Sequence, residues 1–288
     1  MIFYQILFIS TNLMAIVLMS IRLFQFIKLE GPKVTIANLI FINIILASFF
    51  YILFMFDPWG YHRAIESWNF AITTINTTDL FLTASLILVS YHLAKVILKI
   101  SHKENLGIVA LICAILLGLA YTAVWILSLS IQLTHSTYRI SSNAIEYFRM
   151  SIYAFNTIYL ILCTGFFVHK LRQMWSATSK QKKTKEVQYK RLIAATASIW
   201  FCVTVSFIDR ILICIPKYFY NTLPNVAIIG FGAIIAPGLS ICYFYLFRPR
   251  EKEKTKQTGS TTGDGNTNTN TNTNNNTDKS QGYEKFDN

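Results

Sequence analysis

Asp79, Asp209 and Arg210 are charged residues inside long apolar runs. Asp209 and Arg210 are adjacent within residues 192–215, and Asp79 lies within residues 68–96. Charges in hydrocarbon are costly unless they pair or stay near the membrane surface, so such residues can lock helices together, hold a polar ligand or relay protons. Asn76, Asp79, Thr83 and Ser90 are spaced by three, four and seven residues, which places them on one helical face directed into a bundle. Asn76-Thr77-Thr78 has the form of a glycosylation site, but its position in or beside a span argues against modification.

Depth sharpens the reading of these charges. At 1.5 Å per residue, Arg210 lies about 27 Å along its helix from Leu192, and Asp79 lies about 24 Å from Lys95. Both therefore fall in the outer quarter of a membrane. Adjacent residues point about 100° apart on a helix, so Asp209 and Arg210 do not neutralise each other face to face. Arg210 with Asp79 is the expected interhelical pair, and Asn76, Asp79, Asp209 and Arg210 together would make a polar floor beneath an outward-facing cavity. The plainer alternative is that the three charges reach interfacial water and hold no ligand.

The elements that must position these residues are membrane spans. The chain has 288 residues, 53% of them hydrophobic, 15% aromatic and only 14% charged. A helix needs roughly 20 apolar residues to cross the hydrocarbon core. Seven stretches meet that length: residues 2–26, 34–56, 68–96, 107–129, 148–169, 192–215 and 226–247. The expected fold is an all-α seven-transmembrane helical bundle over residues 1–247. No positive residue precedes the first run, which is read as a retained span.

Charge orients the bundle. Twenty-one of the 26 Lys and Arg residues fall on one side of this topology, which puts the N-terminus outside or lumenal and the C-terminus cytosolic. The net charge of +12 thus reports topology and gives no indication of nucleic acid. Residues 170–191 hold eight of these cations, including Lys180, Lys182, Lys183, Lys185, Lys190 and Arg191. This loop can meet anionic lipid headgroups or an acidic protein surface, or simply express the positive-inside bias. Arg22 is expected to snorkel to the cytosolic interface. Asn12, Asn38 and Asn43 are expected to bond between helices, and Ala110, Ala114, Gly118 and Thr122 to allow a close helix approach, with a dimer contact as the alternative. Trp125 and Tyr138 suit the outer interface.

Pro237, followed by Gly238, predicts a kink in the last span. Residues 248–288 begin with a basic stop and continue as an Asn/Thr-rich tract expected to be disordered. Tyr283 and Phe286 frame a possible tyrosine-based sorting motif.

Several chemistries are disfavoured. The five cysteines all lie in apolar runs without a C-x-x-C pair, and the five histidines form no intramembrane cluster with carboxylates. There is no H-E-x-x-H, G-x-S-x-G or Walker loop, so the chain is expected not to be an enzyme and to need no cofactor. The last span has no lysine for a retinal Schiff base. Tyr91-His92-Leu93 stands where a rhodopsin-class receptor would carry an acidic-Arg-aromatic triplet.

IRLFQF ends the first span, FLTASLILVSYHLAKV fills the third, KQKKTKEVQY leads into the sixth, FIDR lies inside it, and APGLSICYFYLFRP closes the seventh. In this order the chain resembles the tobamovirus multiplication (THH/TOM) family and its lysosomal orphan-receptor-like relatives, over residues 5–250. Arg210 and Pro237 match positions of that family, while Ile234 stands where those proteins tend to carry a glutamate. The resemblance implies a vacuolar or endolysosomal membrane protein that anchors cytosolic partners, small GTPases included. A seven-transmembrane receptor at the plasma membrane is the alternative, and a transporter a weaker one.

Overall fold

The computed structural model describes residues 2–56, 68–101, 103–134, 141–177, 182–214 and 222–247. Some side chains within these helices, including those of Asp209 and Arg210, lie outside the described set. The chain divides into two units, Met1–Arg250 and Glu251–Asn288. Tyr283 and Phe286 belong to the second, which lies outside the described residues, as do Tyr138 and Lys180.

Among the described residues the first unit is entirely helical. Its helices are α1 (Ile2–Glu30), α2 (Ile36–Phe56), α3 (Trp68–Ile100), α4 (Gly107–Thr134), α5 (Ser141–Ala177), α6 (Lys182–Cys214) and α7 (Thr222–Leu246), with a 3-10 turn at Glu104–Leu106. Local chemistry sets the α1–α2 junction. Gly31 adopts φ +83°, and its N–H donates to Ile27 O at 3.0 Å, closing α1 with a left-handed cap that a side chain would strain. Thr35 then accepts the Asn38 N–H on its Oγ1 at 3.2 Å and opens α2.

The stretch expected as a basic loop is mostly helix. α5 continues past His169 to Ala177, and α6 begins at Lys182, leaving residues 178–181 between them. Residues 170–191 contain neither Gly nor Pro and are rich in Lys, Arg and Gln, so nothing in them ends a helix where the apolar run ends. At 37 residues α5 is about 55 Å long, well beyond a ~30 Å hydrocarbon core.

α1 packs on α2 and α7, α2 on α3, α3 on α4 and α5, α5 on α6, and α6 on α7, which closes the ring. Gln5 near the start of α1 bonds the Met55 carbonyl near the end of α2, while Phe26 meets Phe41, so these two helices are antiparallel. Met19, Phe41, Ile44, Leu86, Leu160, Ile199 and Leu239 form one buried cluster drawn from α1 to α3 and α5 to α7. α4 stands apart from this cluster. Its Ile108, Ile112, Ile115, Leu116 and Leu119 are exposed, an apolar face that a bilayer would cover.

Five helices are long and apolar enough to cross a membrane; the described parts of α6 and α7 contain the shorter apolar segments Ile193–Val205 and Ile234–Leu246. These features make the protein an integral, multi-pass membrane bundle.

Close helix approach occurs away from the expected small-residue seam. Gly118 on α4 has nothing within 4 Å of the position a Cβ would take. A Cβ at Gly238 would lie 2.9 Å from Cys202 Sγ, which makes the α6–α7 contact the tight one. α7 continues as helix through the buried Pro237, so the small residue after the proline sits where α6 comes nearest. Gly238→Leu is expected to destabilise the bundle by about 1–3 kcal/mol through overpacking. In thermal unfolding in detergent, adding Cys202→Ala to Gly238→Ala should recover part of that variant's loss; no recovery would show that the crowding lies elsewhere.

Candidate functional site

The polar stripe on α3 is buried along its length. Asn76, Asp79, Thr83 and Ser90 are 7%, 6%, 0% and 1% exposed, so this face points into protein. α4 and α5 supply its partners at the end nearest Asn76. The Tyr121 hydroxyl donates to Asp79 Oδ2. Arg149 Nε lies 3.8 Å from the same oxygen, and Arg149 Nη1 donates to Asn76 Oδ1 at 2.8 Å. Trp125 Nε1–H donates to the Asn76 carbonyl at 3.0 Å. Three helices are thus tied by a carboxylate, a guanidinium, an amide, a phenol and an indole.

The cation described beside Asp79 is therefore Arg149 of α5. The pair expected from the sequence, Arg210 with Asp79, falls outside the described residues, as do the side chains of Asp209 and Arg210. Arg149 falls at the very start of the fifth apolar run. Twenty residues before His169, it lies about 30 Å along α5, toward the same end of the bundle as Asp79.

The α3–α5 seam continues inward. Ser90 Oγ lies 3.3 Å from Asn156 Oδ1, and positions increase along both helices from the Arg149 contact to this one, so α3 and α5 run parallel. α4 runs the other way, Tyr121 meeting Asp79 and Trp125 meeting Asn76.

Arg22 requires a correction. The expected snorkelling is not what the structure shows: Arg22 is 8% exposed and faces α7. Its Nε and Nη2 donate to the Phe244 carbonyl at 3.0 and 2.7 Å, and its Cζ lies 3.7 Å from the Phe244 ring centroid. Nη1 donates to Gln25 Oε1 at 2.7 Å. Phe244 is in the last turn of α7, where carbonyls have no helical donor and the helix dipole favours a cation. Arg22 is thus a tertiary cap on α7. Around it, Phe247 packs on Phe41 and His92 at centroid distances of 5.9 and 5.1 Å.

Asn38 and Asn43 make bonds other than the interhelical ones expected of them. Asn38 Nδ2 donates to Lys33 O and Asn43 Nδ2 to Leu39 O, bonds within their own segment. Asn12 is fully buried and donates to Phe8 O one turn back. Trp125 anchors the α3–α4 contact in addition to any interfacial role.

Of the basic residues, Lys190 is exposed on α6. Lys182, Lys183, Lys185 and Arg191 are in the first turns of α6, with side chains outside the described set. Among the described residues no group of three or more His, Cys, Asp or Glu could hold a metal.

The fold and these contacts define the class: a helical multi-pass membrane bundle with buried interhelical polar locks. No family model, curated protein or solved structure matches the chain.

Proposed function

We propose that this protein is a seven-span membrane anchor whose basic α5–α6 extensions recruit or regulate cytosolic partners. In this reading the N-terminus is outside or lumenal and the C-terminus cytosolic, in an endolysosomal or vacuolar membrane. The observation that carries it is the continuation of α5 and α6 as helix beyond their apolar runs. Basic residues on such extensions are presented on preformed backbone, so a partner has less ordering entropy to overcome than on a slack loop. Anionic headgroups of the same leaflet or an acidic protein surface, small GTPases among the candidates, complement that charge.

The α3 stripe favours this reading over a receptor. Asn76 and Asp79 are buried and bonded to Arg149, Tyr121 and Trp125, so they act as a lock between helices and not as the open floor of a ligand cavity.

Lys182, Lys183 and Lys185 changed together to Gln should strip cytosolic proteins from the purified protein while leaving its location unchanged. Equal recovery of those proteins with the variant would overturn the anchor reading. A fluorescent fusion at the C-terminus is expected on endolysosomal or vacuolar membranes; plasma-membrane signal would favour the receptor.

A further inference from the structure

The tight α6–α7 contact brings two thiols together. Cys202 of α6 presses its Sγ against α7, 2.9 Å from where a Cβ on Gly238 would stand. Cys242 lies four residues beyond Gly238, and so on the same side of α7, one turn further on. Side chains on a helix lean toward its N-terminus, so Cys242 reaches back over the turn that holds Gly238. The two thiols meet there and share a hydrogen bond. Both cysteines are free. The close approach at Gly238 also suits a disulfide, whose Cα atoms stand about 4.4–6.8 Å apart.

Access differs between the two sulfurs. Cys242 is buried, whereas Cys202 is half-buried and lies one turn after the exposed Ser198 on α6. The Ser198 side chain also comes within hydrogen-bonding reach of Cys242. Ile241, next to Cys242 in the chain, is exposed as well. Both thiols belong to the apolar segments Ile193–Val205 and Ile234–Leu246, so the pair sits just beneath a surface that acyl chains cover.

We propose that Cys202 and Cys242 are a redox pair, which the hydroperoxide groups of oxidised acyl chains convert to a disulfide joining α6 and α7. Cys202, the more open sulfur, attacks the terminal oxygen of the hydroperoxide. The O–O bond breaks, the thiol proton leaves with the alkoxide as a lipid alcohol, and Cys202 becomes a sulfenic acid. Cys242 then attacks that sulfur, its proton leaves with the hydroxyl as water, and the S–S bond forms. Two thiols give up two electrons and one hydroperoxide accepts them. A lone buried thiol behaves as a small apolar side chain. Here a second thiol already in contact captures the sulfenic acid before another peroxide oxidises it further. The site does not depend on the anchor reading, because it rests on the α6–α7 contact alone.

The test is oxidation of the purified protein by cumene hydroperoxide in vesicles of saturated phosphatidylcholine. Wild-type protein should lose two of its five maleimide-reactive thiols. Peptide mass mapping should find Cys202 joined to Cys242, and dithiothreitol after denaturation should restore both thiols. Retention of every thiol, linkage through other cysteines, or oxidation to sulfinic acid without linkage would each overturn the pair. Cys242→Ser should stop at the sulfenic acid, trapped on Cys202 by a dimedone probe; no trapping there would overturn the order of attack. Should that variant fail to fold, the wild-type linkage still decides.

Discussion

Arg149→Gln lowers the stability of the bundle by about 3–5 kcal/mol, the expected cost of leaving a buried carboxylate without its cation. Asp79 is 6% exposed and Arg149 8%, so neither charge can be rehydrated without opening α3 from α5. Tyr121→Phe removes a hydrogen bond to a charged oxygen and should cost about 1.5–3 kcal/mol. The decisive measurement is a double-mutant cycle by chemical or thermal unfolding in detergent. Asp79→Asn combined with Arg149→Gln should lose less than the sum of the single changes, with a coupling of about 0.5–3 kcal/mol. Asp79→Asn combined with Arg210→Gln measures the α3–α6 pair expected from the sequence in the same way. Coupling to Arg210 and none to Arg149 would favour that pair and remove the α3–α5 lock.

Arg22→Met is the second large effect. It removes two hydrogen bonds to the Phe244 carbonyl and the cation over the Phe244 ring. Leaving a buried carbonyl unsatisfied costs about 1–3 kcal/mol, and a desolvated cation–π contact contributes about 2 kcal/mol more. Arg22→Lys separates this role from membrane anchoring. A snorkelling cation can be Lys as well as Arg, so anchoring predicts a silent change. A fork onto one carbonyl cannot be reproduced by a point-charge ammonium, so the cap predicts a measurable loss from Arg22→Lys. Equal stability of wild type and Arg22→Lys would rule the cap out.

Helix type and approximate placement were legible in the sequence because hydrophobic length is a one-dimensional quantity. So was the inward face of α3, since a three-four periodicity fixes which residues share a side of a helix. The ends of α5 and α6 were not. The apolar run marks the membrane, whereas a helix can run on beyond it while no breaker intervenes, and residues 170–177 and 182–191 contain neither Gly nor Pro. Gly118 and Gly238 make the same point about packing: both are small residues in apolar helices, yet only Gly238 has a neighbour pressed against it.

The buried charges show what tertiary structure adds. By itself the sequence determined that Asp79 needs either a partner or interfacial water, and roughly at what depth, because the cost of an isolated charge in hydrocarbon and the rise per residue are both local facts. It pointed to Arg210 and did not single out Arg149. Which helix stands beside α3 is decided by lateral packing, and the structure sets α3 against α4 and α5, with Arg149 reaching both Asp79 and Asn76. Likewise the sequence placed Arg22 near a helix end, but only the meeting of α1 with α7 turned it from a surface cation into the cap of another helix.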